Sequence, residues 1–292
     1  MQYYLGFDVG GSSTKVGGVT DEKQVVYHEK QTHPDTFEGM MQMMADVYHR
    51  LKKEYPICGI GISSCGCIDP EDGVVRGWMA PSVWYIRGRC FYDLCKLVDV
   101  PVRAEKDSQA GAMGEYWAGG AKEYDSFLTL VLGTGQGGAL FLNGKPYRGT
   151  HFFAGDMGYV SPVRGMKGFS ELTAPVPFEH RYFEETGKHL SCSDLYLNRE
   201  TDPVAARLWE EFIGNLAYFC IQMQFTFDTQ RIFIGGGISG WEPFIPLLQQ
   251  KIDEYLEEWK CDFNRPIVVA CSGGNDANLL GAIYSLREKH HI

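Results

Sequence analysis

Apolar and polar positions along the 292-residue chain follow two alternating rhythms. Residues 3–9 (Tyr-Tyr-Leu-Gly-Phe-Asp-Val) form a nearly continuous apolar run, which predicts a mostly buried strand, and Gly10-Gly11-Ser12-Ser13 interrupts it as a turn. Residues 14–19 read as a second strand, Asp21-Glu22-Lys23 as a polar turn and 24–29 as a third strand. Phe37, Met40, Met41, Met44, Val47, Tyr48 and Leu51 then recur at helical spacing. They predict an amphipathic helix of about 18 residues with the methionines as core filler. A short apolar strand, 57–62, ends in a loop over 63–70.

The same order returns from residue 126. Residues 126–132 predict a strand, Gly133-Thr134-Gly135-Gln136-Gly137-Gly138 a turn, 139–142 a strand, Asn143-Gly144 a hairpin turn and 145–148 a third strand. An irregular stretch covers 150–200, followed by a long helical pattern over 203–228. Strand 231–234 leads into Gly235-Gly236-Gly237, then helix 242–259, strand 266–270, the loop Ser272-Gly273-Gly274-Asn275 and a final helix, 276–288. Two diverged copies of one strand–turn–strand pattern, with no low-complexity linker between them, predict two α/β domains with a cleft between.

Composition narrows the class. Hydrophobic residues make up 44% and charged residues 22%, as in soluble globular proteins. Twenty-seven basic residues against 37 acidic ones give a net charge of −10. Such a surface repels phosphodiester backbones and anionic lipid, so neither a nucleic-acid partner nor a membrane is expected. Met1-Gln2-Tyr3-Tyr4-Leu5 does not read as a signal peptide, and no stretch approaches the roughly 18–20 apolar residues of a membrane span. The nine cysteines are scattered and odd in number, so a reduced, cytoplasmic protein is expected, its cysteines mostly small buried hydrophobes. Neither Cys58, Cys65 and Cys67 nor His180, His189 and Cys192 has the paired spacing of a structural zinc site. Glycine is the outlier. Thirty-five of 292 residues is about 12%, against a usual value near 7%, and without any collagen-like period the excess is expected in particular turns.

Three glycine turns each follow an apolar strand, at 8–15, 132–138 and 235–239. Backbone N–H groups of such a turn can point at a phosphate, because glycine admits close approach and positive φ, although a tight hairpin explains any single turn equally well. None is a dinucleotide fingerprint or a Walker loop. Asp8 stands at the strand end facing the first turn, and a carboxylate beside a phosphate cradle makes sense with Mg²⁺ between them.

In this order the motifs resemble, over nearly the whole chain, the ROK family (repressors, open reading frames and sugar kinases) of the actin/hexokinase/Hsp70 ATPase superfamily. The resemblance is to its glucokinases and N-acetylmannosamine kinases. Asp8-Val9-Gly10-Gly11-Ser12-Ser13-Thr14-Lys15 is similar to the family's DIGGTK turn, residues 133–138 to its GTGIGGG turn, and Gly235-Gly236-Gly237-Ile238-Ser239 to its adenosine-contacting turn. The resemblance implies a two-domain actin-like ATPase (ribonuclease H-like) α/β fold. Residues 1–118, joined by the C-terminal helix 276–292, would form a sugar- and phosphate-binding domain, and 119–275 a nucleotide-binding domain. It also implies ATP held by Asp8, Gly10, Gly11, Ser12, Thr14, Lys15, Gly133, Thr134, Gly135, Gly137, Gly235, Gly236 and Gly237, with Asp8 organising Mg²⁺ through water. The family's END segment, whose Asp takes the proton of a sugar hydroxyl, is matched by Glu105-Lys106-Asp107, which implies Asp107 as general base. Read from the residues alone, Asp107 is equally a helix N-cap ahead of Ala110, Met113 and Trp117.

The acceptor side departs from the family pattern. The AGExGH segment reads Ala154-Gly155-Asp156-Met157-Gly158-Tyr159, in which Asp156 can still accept a sugar hydroxyl but Tyr159 cannot ligate zinc. The family's cysteine cluster is missing from 164–171, where only Gly168 and Glu171 survive. The resemblance therefore implies Glu171 as a retained sugar-hydroxyl acceptor and no structural zinc. Lys106 replaces an Asn, exchanging an amide for a donor-only cation, and Ser82 stands where Asn is frequent. Ser82, Lys106, Asp107, Asp156, Tyr159 and Glu171 are thus the candidate sugar-facing residues. Their departures imply an acceptor other than plain glucose, a derivatised or acidic sugar, unless Lys106 faces solvent. The expected activity is an ATP- and Mg²⁺-dependent sugar kinase whose domain closure excludes water. A non-catalytic sugar or nucleotide sensor is the alternative, a repressor is not expected in so acidic a chain, and an iron–sulfur ATPase is prompted only by Cys65 and Cys67. Family resemblance suggests a homodimer. Phe169, Pro175, Pro177 and Phe178 are left to pack on substrate or on each other.

Overall fold

The first apolar run is a strand, β1 (Tyr3–Val9), in the computed structural model, which describes residues 2–77 and 79–292. Strand β2 (Thr14–Thr20) pairs antiparallel with it, and β3 (Val25–Gln31) antiparallel with β2. Helix α1 (Phe37–Leu51) starts at Thr36, whose side-chain oxygen accepts the Gly39 N–H at 3.1 Å. It buries all seven residues picked out by helical spacing, methionines included, but is 15 residues long, shorter than the spacing predicts. Strand β4 (Ile57–Ser64) runs two residues past its expected end, so Ser63 and Ser64 are strand, not loop. A two-residue ribbon, β5 (Cys67–Ile68) with β6 (Val75–Arg76), occupies part of that loop. Strand β7 (Val102–Lys106) then leads directly into α2 (Asp107–Trp117). The sheet order is β3-β2-β1-β4-β7, with β1, β4 and β7 parallel.

The second half repeats this sheet strand for strand. Strands β8 (Phe127–Leu132), β9 (Gln136–Leu142) and β10 (Lys145–Tyr147) form its antiparallel half. The stretch 150–200, expected to be irregular, contains α3 (Phe169–Thr173), α4 (Pro175–Thr186) and α5 (Cys192–Asn198). Helices α3 and α5 are too short to show several turns of periodicity, and punctuation marks α4 and α5 instead. Pro175 opens α4, Gly187 at φ 70° closes it, and a Ser191–Asp194 capping box opens α5. Helix α6 (Pro203–Phe227), β11 (Arg231–Gly235), α7 (Phe244–Glu258), β12 (Val268–Ala270) and α8 (Ala277–His290) complete the chain. The order β10-β9-β8-β11-β12 has the same pairing directions as the first sheet, as the duplicated pattern requires. Phe169 and Phe178 lie in the core, their rings against Phe219 and Phe212.

Two compact units result: Met1–Glu123 with Arg148–Phe153 and Ser272–Ile292, and Tyr124–Tyr147 with Ala154–Cys271. Helix α8, last in the chain, therefore belongs to the first unit, as does the strap 148–153. In that unit one core gathers α1 with β1, β4 and β7, and a second gathers Tyr4 and Val19 with Leu280, Ile283 and Leu286 of α8. The strap is tied down by Arg148, which donates to the buried Glu105 carboxylate at 2.6 and 3.3 Å. Of the nine cysteines only Cys67, Cys192 and Cys220 are buried, and Cys95 is exposed. The expectation of mostly buried thiols fails because the other five sit at or just past the ends of elements, where cover is partial. Among the described residues no helix is long and apolar enough to cross a membrane, and no group of three or more His, Cys, Asp or Glu could hold a metal ion.

The glycine excess is not confined to turns. A Cβ on Gly281 of α8 would lie 1.7 Å from the Ala110 carbonyl oxygen of α2, and one on Gly114 of α2 would lie 2.1 Å from the Ala277 oxygen of α8. These residues let two helix backbones touch. Next to this contact the buried Glu115 carboxylate accepts the Gly273 N–H at 2.5 Å, the Ser272 hydroxyl at 3.1 Å and the Gly120 N–H at 3.2 Å. Gly281→Ala should therefore destabilise the protein by roughly 3 kcal/mol, the upper range for overpacking. Urea unfolding measures this, and an unchanged midpoint would mean that α2 and α8 do not pack this closely.

Candidate active site

Parallel strands place their carboxyl ends side by side, and in open α/β sheets ligands collect there. In the first unit, registration puts Asp8, Ser63 and Glu105 in one row and Val9, Ser64 and Lys106 in the next. The first glycine turn follows the second row on β1, and Asp107 follows it on β7. Asp8, 6% exposed, accepts hydrogen bonds at Oδ1 from Ser63 Oγ at 2.9 Å and Asn278 Nδ2 at 3.1 Å. Its Oδ2 lies 3.7 Å from Lys15 Nζ, a residue paired with it across the hairpin. The turn closes through Gly10 N–H to Ser13 O at 3.1 Å, leaving Gly11 and Ser12 exposed. Ser82 donates its hydroxyl to the Gly11 carbonyl, so this candidate sugar residue is bound to the turn. Thr14 is wholly buried, its hydroxyl without a partner.

Asp107 is the first residue of α2, and the N-cap is Lys106. The N-cap reading of Asp107 is therefore corrected: its Oδ1 accepts the N–H of its neighbour Ser108 at 2.6 Å, one position too late in the helix to cap it. Lys106 is 7% exposed, which overturns the reading that it points to solvent. Beside Asp107 lies Cys65, whose thiol is pushed up to about 11, first by burial and then by the Asp107 carboxylate. A thiol so shifted carries little thiolate at neutral pH.

In the second unit two glycine turns share one sheet end, because β8 and β11 are parallel neighbours. The turn after β8 closes through Gly133 N–H to Gly135 O at 3.0 Å, with Thr134 between them. Gln136 beyond it donates its N–H to Ser170 Oγ at 3.1 Å and accepts the Thr173 hydroxyl at 2.6 Å, binding the turn to α3. The turn after β11 approaches the first so closely that a Cβ on Gly236 would lie 1.9 Å from the Leu132 carbonyl oxygen, and Gly236 has φ 96°. Gly236 is the only member of the three turns with positive φ. The other glycines of the turns make no use of positive φ. At Gly133, Gly137 and Gly237 an added Cβ would meet nothing within 4 Å. Neither backbone conformation nor packing requires glycine there, and the three leave open backbone at the same sheet end.

The segment 154–159 folds onto β9. Gly155 has φ 95°, and its Cβ would lie 2.7 Å from the Gly138 oxygen, while that of Gly158 would lie 2.5 Å from the Gln136 oxygen. This sets Asp156, half-buried, and Tyr159, 71% exposed, beside the second glycine turn. The Tyr159 phenol is raised above the ordinary tyrosine value by partial desolvation and by the Asp156 carboxylate. Glu171 on α3 is exposed and ion-paired with Lys167 at 3.0 Å. Two residues that sequence reading missed are the Asp8 partners Ser63 and Asn278. Ser63 carried a signal, since a parallel neighbour ending level with β1 puts a hydroxyl beside Asp8. Asn278 carried none, being 270 positions away in the chain.

With this geometry in hand, comparison with known proteins gives a consistent picture. The ROK family model matches residues 4–289. The chain is 28% identical to a β-glucoside kinase of Listeria innocua, covering 98% of this chain and 97% of that one. It is 26% identical to a glucokinase of Streptomyces coelicolor across all of both chains. A ROK family protein of Streptococcus pneumoniae, solved in complex with sucrose, superposes with a TM-score of 0.89 at 25% identity over 99% of each chain. The matched span includes all three glycine turns and Asp107, and the chain belongs to the ROK family, with its actin-like ATPase fold.

Proposed function

We propose that this protein is a sugar kinase that transfers the γ-phosphoryl group of ATP to a hydroxyl of a hexose or hexose derivative. The observation that carries this is the common strand-end row of the first unit, where the Asp8 turn and Asp107 follow neighbouring registered positions. Kinase names among full-length relatives, one acting on β-glucosides and one on glucose, support the reaction class and an acceptor range that includes substituted sugars.

The residues have the following roles. Backbone N–H groups at Gly11 and Ser12, with Lys15, hold phosphate oxygens in the first unit, where Gly10 closes the turn, and those of Thr134 and Gly135 do so in the second, where Gly133 closes the turn and Gly137 keeps it uncovered. Gly237 leaves room for the adenosine, with Gly235 packed against Cys271 beneath it and Gly236 holding the turn in shape. Thr14, being buried, supports its hairpin from within. Asp107 accepts the acceptor hydroxyl proton as the sugar oxygen bonds to the γ-phosphorus, the β–γ bridging bond breaks and ADP leaves. Asp8 suits an outer position on Mg²⁺: neutral donors satisfy Oδ1, and the 3.7 Å gap to Lys15 leaves Oδ2 open to a shared water. Mg²⁺ there would neutralise charge on the β- and γ-phosphates. The candidate acceptor residues are Ser82 and Lys106 in the first unit and Asp156, Tyr159 and Glu171 in the second, with Lys106 adding a buried positive charge next to the base.

Three measurements test these roles. Asp107→Asn keeps an acceptor oxygen for Ser108 and should fold normally, yet lose at least about 10²-fold in kcat in an ATP-consumption assay. Equal turnover would mean that the base is elsewhere. Lys106→Asn should raise KM for acidic sugars by about tenfold relative to neutral ones, the worth of one charge-assisted hydrogen bond. A uniform KM across the panel would remove Lys106 from acceptor selection. The third contrasts two adjacent glycines. Gly236→Ala collides with Leu132 and should lower the melting temperature markedly, whereas Gly237→Ala should stay within about 0.5 kcal/mol of the parent in stability and raise KM for ATP alone. A Gly237→Ala enzyme with unchanged KM for ATP would place the nucleotide away from this turn.

A further inference from the structure

Two residues before the candidate base stands an acid with no part in the roles above. Glu105 of β7 is 1% exposed, and both its oxygens are taken. Oε1 accepts Arg148 Nη2 at 2.6 Å and the Ser285 hydroxyl of α8 at 2.6 Å, while Oε2 accepts Arg148 Nε at 3.3 Å. Arg148 is itself mostly covered, its side chain 23% exposed. A buried ion pair is a poor way to add stability, because apolar side chains of similar volume often hold a core equally well or better. A two-bond guanidinium–carboxylate fork does something apolar packing does not: it fixes one orientation.

The strap has other means of staying in place. The Cys67 thiol donates to the carbonyls of His151 and Phe152 at 3.3 and 3.1 Å. The Phe153 ring lies against Gly77, where an added Cβ would be 3.2 Å away. Fixing is lacking instead at the junction of β7 and α2. Helix α2 has Lys106 as its N-cap and no side-chain cap hydrogen bond, so its first turn is not locked from within. Glu105 immediately precedes that N-cap, and its bonds clamp the strand to the strap and to α8. The same helix donates Asn278 to Asp8, in the row of Glu105. Helix α8 thus holds both acids of the row, and Arg148 completes the clamp at the end nearest Asp107.

We propose that Arg148 is a positioning residue for Asp107: through Glu105 it fixes the strand end from which the base meets the acceptor hydroxyl. It touches neither substrate. The proposal rests on the sugar-kinase reading above and deepens it. Without the guanidinium, Glu105 keeps one neutral donor, and a buried carboxylate left without its counter-charge must shift, draw in water or take up a proton. Each of these disturbs the residue beside the N-cap, and a misplacement of about 1 Å can cost roughly 10²-fold in rate. Among the described residues no hydrogen bond joins Arg148 to the first glycine turn, so ATP binding should be spared.

Arg148→Met removes the charge and keeps the bulk. It should lower kcat for the best acceptor of a hexose panel at least about tenfold, while KM for ATP and calorimetric ATP affinity stay within about twofold. Arg148→Lys keeps a charge but loses the fork, so it should lose less, and it serves if the first variant does not fold. A second readout needs no turnover. The Cys65 thiol is held up partly by the Asp107 carboxylate. Its alkylation by iodoacetamide at about pH 8.5, followed by mass spectrometry, therefore reports on where that carboxylate stands. Asp107→Asn should speed the alkylation. Arg148→Met should alter it in the parent background and leave it unchanged in the Asp107→Asn background. Unchanged kcat in folded Arg148→Met, a loss of kcat matched by a rise in KM for ATP, or the same alkylation change in both backgrounds would each overturn the proposal. A parent that phosphorylates no sugar of the panel would sink the kinase reading alone, and the alkylation cycle would still decide whether Arg148 places Asp107.

Discussion

The first unit depends on one backbone contact, that between α2 and α8. Gly114 and Gly281 allow the two helices to meet at a distance that no Cβ would permit. The contact fixes two things at once. Helix α2 begins with Asp107, so the angle at which it leaves β7 decides where that carboxylate stands. Helix α8 carries Asn278 near its start, and Asn278 donates to Asp8. A helix from the far end of the sequence thus holds the acid of the first glycine turn and braces the helix that bears the candidate base. Glu115 reinforces this by binding the loop 272–273, through which the chain re-enters the unit. A buried carboxylate with three donors is strongly held, and removing its partners would leave an uncompensated charge. The geometry is rigid for the same reason.

Duplication explains why two different sheet ends look alike. Each sheet has a hairpin that makes a glycine turn, followed by parallel strands ending beside it. The first copy adds charge at that end, with Asp8, Lys15, Lys106 and Asp107. The second adds open backbone, with Gly133, Gly137 and Gly237 facing no protein atom. One topology thus supplies ionic chemistry in one unit and space in the other. Phosphoryl transfer requires both, since the reaction is governed by positioning and charge, not by covalent help from the protein.

Much of this was legible in the chain because it rests on local pattern. The buried face of α1 was readable residue by residue, since helical spacing is a property of one segment. The three glycine turns were readable because each follows an apolar run, and their order carried the family resemblance. What could not be read depends on contacts distant in sequence. Asn278 beside Asp8, Arg148 on Glu105 and the role of Gly281 are all pairings that only the folded chain creates. Helices α3 and α5 were missed because five and seven residues give too few turns for periodicity, and α4 because two prolines stand among its first three residues, although the caps of α4 and α5 were in plain view. Lys106 shows a third kind of failure. Its position at a strand end suggested a choice between solvent and substrate, and burial at a strand–helix junction decides against solvent.

The acceptor side follows from how its carboxylates are held. Glu171 is exposed and already paired with Lys167, so its interaction with any hydroxyl must compete with an ammonium and with water. Exposed ion pairs of this kind contribute about 0–1 kcal/mol, and a sugar hydroxyl replacing one gains little. Asp156 is half-buried, and its carboxylate acts on the Tyr159 phenol. Hydrogen bonds to these two acids alone therefore discriminate weakly among hexoses, which differ mainly in hydroxyl orientation. If the chain is the kinase proposed above, selectivity has to draw on groups whose contribution is larger, and the buried ammonium of Lys106 in the first unit is such a group, because a charge-assisted hydrogen bond is roughly twice as strong as a neutral one.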